Sequence, residues 1–175
     1  MIIGSDMVFA LDVDGVLTNG KFLWDANGNK VYKEFGPDDA DALKLLSKYM
    51  KIIFFSKDGK GFEISKSRVT HMGFEIYYMN TEERKDFLKK EYGLENVIYM
   101  GDSFVDTPIF ESVAYGIATK TSDFFAKYFA NYVTTTGGGE RAVAEAVFWI
   151  VKNILKLDKV EIAEGYFLPI NLLEF

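Results

Sequence analysis

Short apolar runs alternate with amphipathic segments along most of this chain. Strands are predicted at the apolar runs, which lie at 7–11, 52–55, 75–78, 97–100, near 114–118 and near 131–134. Four helices are predicted between or after them. The first begins at Pro37 and Asp38, the second covers about 60–72, the third is capped by Thr81, and the fourth covers about 140–156. Strands that alternate with helices indicate an α/β fold, a Rossmann-like three-layer sandwich built on a mostly parallel sheet.

The first strand is followed by a segment with the pattern of a β-hairpin. Asn27-Gly28 separates two arms that carry aromatic residues, at about 20–35. Only this hairpin and one helix separate the first two strands, so no cap domain is expected. We interpret residues 1–175 as a single domain with a C-terminal tail at about 158–175.

Composition narrows the classes of function. The hydrophobic share of 49% allows a substantial core, and the net charge of −6 disfavours nonspecific nucleic-acid binding. The chain contains no cysteine, which excludes disulfides and thiolate metal sites. No apolar stretch approaches the roughly 20 residues of a membrane span, and the first residues lack the basic segment of a signal peptide. We therefore expect a cytoplasmic protein without a membrane or nucleic-acid partner.

Polar side chains follow the ends of several predicted strands. Asp12 and Asp14 follow the first strand, Ser56 follows the second, and Asp102 and Asp106 follow the strand at 97–100. Because the carboxyl ends of parallel strands meet at one edge of a sheet, these side chains are expected to converge there. Carboxylates in such a cluster repel one another unless a cation lies among them. An all-oxygen site of this kind suits Mg²⁺, which retains several waters.

These residue types suit phosphoryl transfer, which depends mainly on positioning and charge neutralisation. Asp12 can attack phosphorus to form an aspartyl-phosphate, and Asp14 can act as general acid and then base. Asp12, Asp102 and the backbone carbonyl of Asp14 would hold Mg²⁺. Ser56 would hydrogen-bond the phosphoryl oxygens, and Lys85 would supply a positive charge.

The assignment of Lys85 has competitors. Arg84 and Lys89 lie on the same predicted helix, and Lys85 itself could be a solvated helix residue. Asp106 is expected to orient Lys85 or a metal-bound water, although it could simply cap a helix. Ser103 is a supporting candidate because it adjoins Asp102.

Together these residues resemble the four motifs of the haloacid dehalogenase superfamily. The first motif is matched by Asp12-Val13-Asp14-Gly15-Val16-Leu17-Thr18, and the fourth is matched by Gly101-Asp102-Ser103-Phe104-Val105-Asp106. Ser56 stands at the position of the second motif, and Lys85 is the best match to the lysine of the third. The resemblance extends over most of the chain. It is nearest to the capless sugar-phosphate phosphatases, exemplified by 3-deoxy-D-manno-octulosonate 8-phosphate phosphatase.

The resemblance implies Mg²⁺ as cofactor, an acidic keto-sugar phosphate as substrate and a homotetramer as assembly. A capless site is open to water, so a neighbouring subunit is expected to close it. The aromatic hairpin could pair between subunits, and the apolar segment 166–170 could dock on a neighbour.

The chain departs from the family where substrate is recognised. The second motif reads Ser56-Lys57-Asp58 where the family often has Thr-Gly-Arg. Lys57, Gly138 and Arg141 are the candidates for substrate binding, although the glycine-rich loop could instead be a mobile loop. Phosphatases of nonulosonate 9-phosphates or of other small phosphates are alternatives. A noncatalytic assembly protein and a phosphoaspartate receiver are further alternatives, against which the Asp12-x-Asp14 pair argues.

Overall fold

The computed structural model describes residues 6–175. Its strands are β1 (Val8–Asp12), β2 (Thr18–Trp24), β3 (Lys30–Phe35), β4 (Lys51–Ser56), β5 (Glu75–Tyr78), β6 (Val97–Gly101), β7 (Tyr115–Ala118), β8 (Tyr132–Val133), β9 (Lys159–Ala163) and β10 (Tyr166–Pro169). Its helices are α1 (Asp39–Leu46), α2 (Phe62–His71), α3 (Thr81–Glu91), α4 (Thr107–Phe110), α5 (Phe124–Phe129) and α6 (Ala142–Asn153). Within this part of the chain, every helix is too short or too polar to cross a membrane.

A six-stranded sheet forms the centre of the fold, in the order β5-β4-β1-β6-β7-β8. Every neighbouring pair in it is parallel, which confirms the predicted parallel sheet. The innermost strand is β1, where Leu11 is paired with Phe54 of β4 on one side and Met100 of β6 on the other. This register brings the carboxyl ends of β1, β4 and β6 side by side.

Helices cover both faces of the sheet, as the continuous apolar runs predict. Along β1, Phe9 and Leu11 pack on the side of α1 and α6, whereas Val8 and Ala10 pack on the side of α3, α4 and α5. All four side chains are fully buried. Burying a large apolar side chain contributes about 1.5–3 kcal/mol, so both layers anchor the strand that ends at Asp12.

The hairpin predicted between the first two strands of the sheet is present and begins slightly earlier, at Thr18. Its turn is held by Asp25, whose Oδ1 accepts hydrogen bonds from the N–H groups of Asn27 and Asn29 at 2.9 and 2.8 Å. Gly28 has a φ of 79°, in the left-handed region that favours glycine. The predicted Asn-Gly turn is therefore confirmed.

One local prediction was wrong. Thr81 is the first residue of α3 rather than its cap; Asn80 caps the helix, and its side chain accepts from the N–H of Glu83 at 3.1 Å. The Glu83 carboxylate accepts from the N–H of Asn80 in return, which completes a capping box.

The C-terminal tail forms β9 and β10 and packs in part on its own chain, with Ile170 only 1% exposed. Tyr166 and Phe167 stay 62% and 45% exposed, so the docking of this segment on a neighbour stays a prediction.

One buried carboxylate joins two helices on the same side of the sheet. Asp39, at the start of α1, accepts a hydrogen bond from the N–H of Ala144 in α6 at 2.9 Å. The residue is 1% exposed, and its other oxygen has no partner among the described residues. Burial raises the pKa of Asp39 to about 6, although the bond from Ala144 opposes the shift.

We expect Asp39→Asn to stabilise the protein at pH 7. The folded-state pKa of about 6 lies above the ordinary 3.8, so the native state binds more protons between these values and stability falls as pH rises through that window. The amide oxygen can still accept from Ala144. The free energy of unfolding at pH 7 should increase by about 1–3 kcal/mol. Urea denaturation of both proteins at several pH values measures this, and a less stable variant at pH 7 would contradict it.

Candidate active site

A cleft of about 320 Å³ opens at the carboxyl ends of β1, β4 and β6. Five carboxylates and three cationic side chains are among its lining residues. The cleft is lined by Asp12, Asp14, Gly20, Phe22, Lys30, Lys57, Asp58, Thr81, Arg84, Asp102, Ser103, Val105 and Asp106. The chain topology thus brings together residues from five separate segments.

The loop after β1 is fixed by its own hydrogen bonds. Thr18, which is fully buried, accepts at its Oγ1 from the N–H groups of Gly15 and Gly20, both at 3.2 Å. Gly15 has a φ of 83°, and a Cβ placed there would lie 1.9 Å from an oxygen of Asp102. Only glycine therefore allows the loop that carries Asp14 to approach Asp102 so closely.

Burial and mutual repulsion act on the carboxylates at the centre of the cleft. Burial raises the pKa of Asp12 well above its usual range; Arg84 opposes this, while Asp106, Asp102 and Asp14 add to it. Burial, with Asp106 and Asp14, also raises the pKa of Asp102 to about 7. Both groups therefore favour the ionised form only if further positive charge lies between them.

Arg84 supplies the positive charge on one flank of the cleft. Its Nη1 lies 3.0 Å from Asp12 and 3.4 Å from Asp106, and it also donates to the hydroxyl of Tyr99. Tyr99 donates in turn to Asp106 at 2.9 Å. Burial opposes the charge of Arg84, but Tyr99, Asp12 and Asp106 outweigh it and raise the pKa of the guanidinium. The side chain is 2% exposed and stays charged.

Lysines from β3 supply the positive charge on the opposite flank. The Lys33 ammonium lies 2.8 Å from Asp14, 2.9 Å from Asp58 and 2.8 Å from the hydroxyl of Ser65. Lys30 lies 2.5 Å from the same Asp58. Burial acts to raise the pKa of Asp58, but the two lysines outweigh it and hold that pKa below its usual value.

The charge balance of the cleft fits a divalent cation. The five lining carboxylates outnumber the four cations in or beside the cleft, Lys30, Lys33, Lys57 and Arg84, which leaves an excess of one negative charge. In residues 6–175, no group of three acidic, histidine or cysteine side chains is arranged around a metal position. A pair of carboxylates, Asp12 and Asp102, supplemented by a backbone carbonyl and waters, is nevertheless the type of site that Mg²⁺ uses.

Several residues predicted from the sequence lie together at this edge. Asp12, Asp14, Asp102, Ser103 and Asp106 all line the cleft. The N–H of Ser103 donates to the Asp106 carboxylate at 3.2 Å, so Asp106 stabilises its own loop as well as Arg84.

Ser56 is buried below the surface of the cleft, although it was predicted to contact the substrate. It is 1% exposed, and its hydroxyl donates to Asp14 at 3.4 Å and accepts from the N–H of Asp58 at 3.2 Å. In this structure Ser56 therefore contacts neighbouring site residues rather than the open cleft.

The prediction for Lys85 is corrected by the structure, which places Arg84 in the cleft instead. The helix phase explains the difference. Arg84 and Leu88 lie four residues apart on the buried face of α3, whereas Lys85 is rotated by about 100° away from that face. The position of Leu88 was the signal that could have identified Arg84. Lys33 gave no such signal, because a lysine in a strand is ordinarily read as exposed.

The substrate-binding candidates are separated by the structure. Lys57 lines the cleft. Gly138 does not: it lies behind the loop after β1, where a Cβ would be 2.0 Å from the carbonyl oxygen of Gly15. Arg141 also lies outside the cleft lining and pairs with Asp38 at 2.5 Å, with both side chains mostly exposed. The predictions for Gly138 and Arg141 are therefore corrected.

Known proteins resemble this chain in sequence and in fold. The 3-deoxy-D-manno-octulosonate 8-phosphate phosphatase of Haemophilus influenzae is 29% identical over 161 residues, which cover 89% of this chain and 88% of that protein. No protein-family model matches the chain.

Solved structures also resemble this chain in fold. The cobalt-bound deoxy-D-mannose-octulosonate 8-phosphate phosphatase of Haemophilus influenzae has a TM-score of 0.75 and 26% identity, covering 86% of this chain and 90% of that one. The Moraxella catarrhalis 3-deoxy-D-manno-octulosonate 8-phosphate phosphatase, solved with a magnesium ion, a phosphate ion and a KDO molecule, has a TM-score of 0.71 and 23% identity. It covers 85% of this chain and 88% of that chain, and bears on the fold alone.

We expect divalent cations to stabilise the protein through Asp102. Relief of carboxylate repulsion should give about 1.4 kcal/mol at a Mg²⁺ concentration of ten times Kd, or a rise in Tm of about 3–6 °C. Asp102→Asn should abolish the rise, whereas Asp86→Asn, on the exposed side of α3, should retain it. Thermal melts of chelator-treated protein with and without Mg²⁺ measure both. An equal rise in Asp102→Asn would show that the cation binds elsewhere.

Proposed function

We propose that the chain is a member of the haloacid dehalogenase superfamily and that it hydrolyses 3-deoxy-D-manno-octulosonate 8-phosphate in an Mg²⁺-dependent reaction. The observation that carries the proposal is the convergence of Asp12, Asp14 and Asp102 in one cleft, with Arg84 paired to Asp12. The sequence relatives with this activity in their names support the choice of substrate, since they match along almost their whole length.

The reaction proceeds in two steps at the end of β1. An oxygen of Asp12 attacks phosphorus, the bond from phosphorus to the sugar oxygen breaks, and that oxygen takes a proton from the Asp14 carboxyl. Water then attacks the aspartyl-phosphate and gives a proton to Asp14, and the bond between Asp12 and phosphorus breaks to release phosphate. These two steps require one carboxylate that acts as the nucleophile and a second, nearby carboxyl group that transfers protons.

Asp12, Asp102 and the backbone carbonyl of Asp14 are the groups that would hold Mg²⁺. When bound, the ion neutralises charge on the phosphoryl oxygens and lowers the repulsion between the two carboxylates. The excess negative charge of the cleft supports this assignment.

Arg84 places positive charge beside the nucleophile, Asp12, in the first step. Its guanidinium is buried and held by Asp106 and Tyr99, so its position is fixed before substrate arrives. Preorganised positive charge in a partly buried site stabilises a transferring phosphoryl group more than a mobile surface charge does. At the open side, Lys57 lines the cleft and is the cation available to the substrate carboxylate, since Lys30 is paired with Asp58.

A homotetramer would close the open site. The β2–β3 hairpin is unusually apolar for a surface, with exposed fractions between 52% and 61% for Leu23, Trp24, Val31 and Tyr32. Apolar patches of this kind mark interaction surfaces, and pairing of hairpins would bury them. The cytoplasmic location stays a prediction from the sequence.

We expect the protein to release phosphate from 3-deoxy-D-manno-octulosonate 8-phosphate with Mg²⁺ and to lose this activity after chelation. Asp12→Asn should lower kcat by at least about 10³-fold, because the amide is a poor nucleophile. A phosphate-release assay over a panel that includes nonulosonate 9-phosphates and p-nitrophenyl phosphate measures both. A preference for a nonulosonate ester would change the substrate, and inactivity on the whole panel would refute the phosphatase proposal.

We expect substitutions of the two neighbouring cations of α3 to have very different effects on kcat/KM. Arg84→Met should lower kcat/KM by about 10²–10³-fold, the usual effect of removing one preorganised charge-stabilising donor, and Arg84→Lys should restore part of it. Lys85→Met should stay within about twofold of the wild type, because surface charges contribute little. Circular dichroism checks that each variant is folded. A large loss in Lys85→Met with a small loss in Arg84→Met would reinstate the assignment made from sequence.

A further inference from the structure

The buried lysine of β3 has no role in the steps above. In that strand Val31 and Tyr32 are more than half exposed, while Lys33 is the only fully buried residue. This inverts the ordinary rule that apolar side chains face inward and lysines face water. Sequences usually break a local rule of this kind at functional sites.

The contacts of Lys33 use the whole hydrogen-bonding capacity of its ammonium group. A lysine ammonium has three donors, and Lys33 meets three acceptors: Asp14 after β1, Asp58 after β4 and Ser65 in α2. The side chain is 0% exposed. A buried ammonium with every donor paired has one stable position, so its partners are fixed with it.

Of these partners, Asp14 is the one that faces the reaction. Its side chain is 31% exposed and lines the cleft, and both of its oxygens lie within 2.9 Å of the Lys33 ammonium. The only other side chain that holds Asp14 through a hydrogen bond among the described residues is Ser56, at a longer 3.4 Å. Asp58 shares the charge of Lys33, so the ammonium is not the counter-ion of Asp14 alone.

We propose that Lys33 is a positioning residue that holds the Asp14 carboxyl at the leaving-group oxygen. The inference rests on the proposed phosphatase function and adds the hairpin to the proton-transfer machinery. In the first step, the electron pair of the breaking bond goes to the sugar oxygen while Asp14 gives that oxygen its proton. Without Lys33, Asp14 and Asp58 repel each other and Asp14 loses its fixed orientation.

The dependence on leaving group separates this role from a merely structural one. The octulosonate 8-phosphate is a primary alkyl ester whose alkoxide must be protonated, whereas 2,4-dinitrophenolate leaves as a stable anion. In Lys33→Met, kcat/KM for the alkyl ester should fall about 100-fold, the lower range for general acid catalysis, and kcat/KM for 2,4-dinitrophenyl phosphate should fall less than about fivefold. Loss of structure would lower both values alike.

Two further variants complete the experiment. Ser65→Ala removes only the neutral acceptor of Lys33 and should shift the ratio of the two kcat/KM values in the same direction, by about three- to tenfold. Lys60→Met removes a lysine that donates to the carbonyl oxygen of Gly28 in the same hairpin, and it should leave the ratio unchanged, because no hydrogen bond or ion pair joins Lys60 to Asp14 or Lys33 among the described residues. Circular dichroism reports folding, and if Lys33→Met is unfolded, Ser65→Ala decides.

An unchanged ratio in a folded Lys33→Met, or in Ser65→Ala if Lys33→Met does not fold, would overturn the inference. The wild-type enzyme serves as the separate check of the proposed function. If it hydrolyses neither ester with Mg²⁺, the phosphatase proposal fails and the inference fails with it. If it hydrolyses both, only the variants bear on Lys33.

Discussion

Repulsion among the carboxylates at one edge of the sheet is the constraint on which the remainder of the site depends. Parallel strands with right-handed crossovers place their carboxyl ends together, and here those ends carry Asp12 and Asp102, with Asp14, Asp58 and Asp106 close by. Burial removes the water that would otherwise screen them. Such a cluster is compatible with a folded protein only where cations enter it, and the two buried cations, Arg84 and Lys33, are each held by several partners.

The two buried cations contact different carboxylates of the cluster. Arg84 contacts the nucleophile Asp12 from α3, and Lys33 contacts Asp14 from the hairpin, so the two acids of the proposed mechanism have separate partners. Removing one member of a buried pair leaves an uncompensated charge, which is strongly destabilising. The position between Asp12 and Asp102 keeps an excess of negative charge, which suits Mg²⁺. Stability and catalysis therefore impose the same arrangement of charges.

Much of this arrangement follows from short-range patterns in the sequence. Apolar runs that end in Asp12, Ser56 and Asp102 predict the strands, and parallel topology then predicts their convergence. The choice between Arg84 and Lys85 depends on helix phase, which Leu88 defines. The three-way contact of Lys33 joins residues up to 32 positions apart. It depends on how the hairpin folds over the sheet edge, which no local pattern in β3 encodes.

The hairpin has two chemically different sides, and this links assembly to chemistry. Leu23 and Tyr32, which are paired across the two strands, present apolar surface, while Lys33 on the same ribbon reaches the acid that transfers the proton. A two-stranded ribbon is only marginally stable by itself, so its position depends on what packs against it. On the inner side the ion pairs of Lys30 and Lys33 fix it to the body of the protein. Pairing of copies through the outer side would restrain the same ribbon further. The hairpin would then not only cover an open cleft but also keep Asp14 aligned within it.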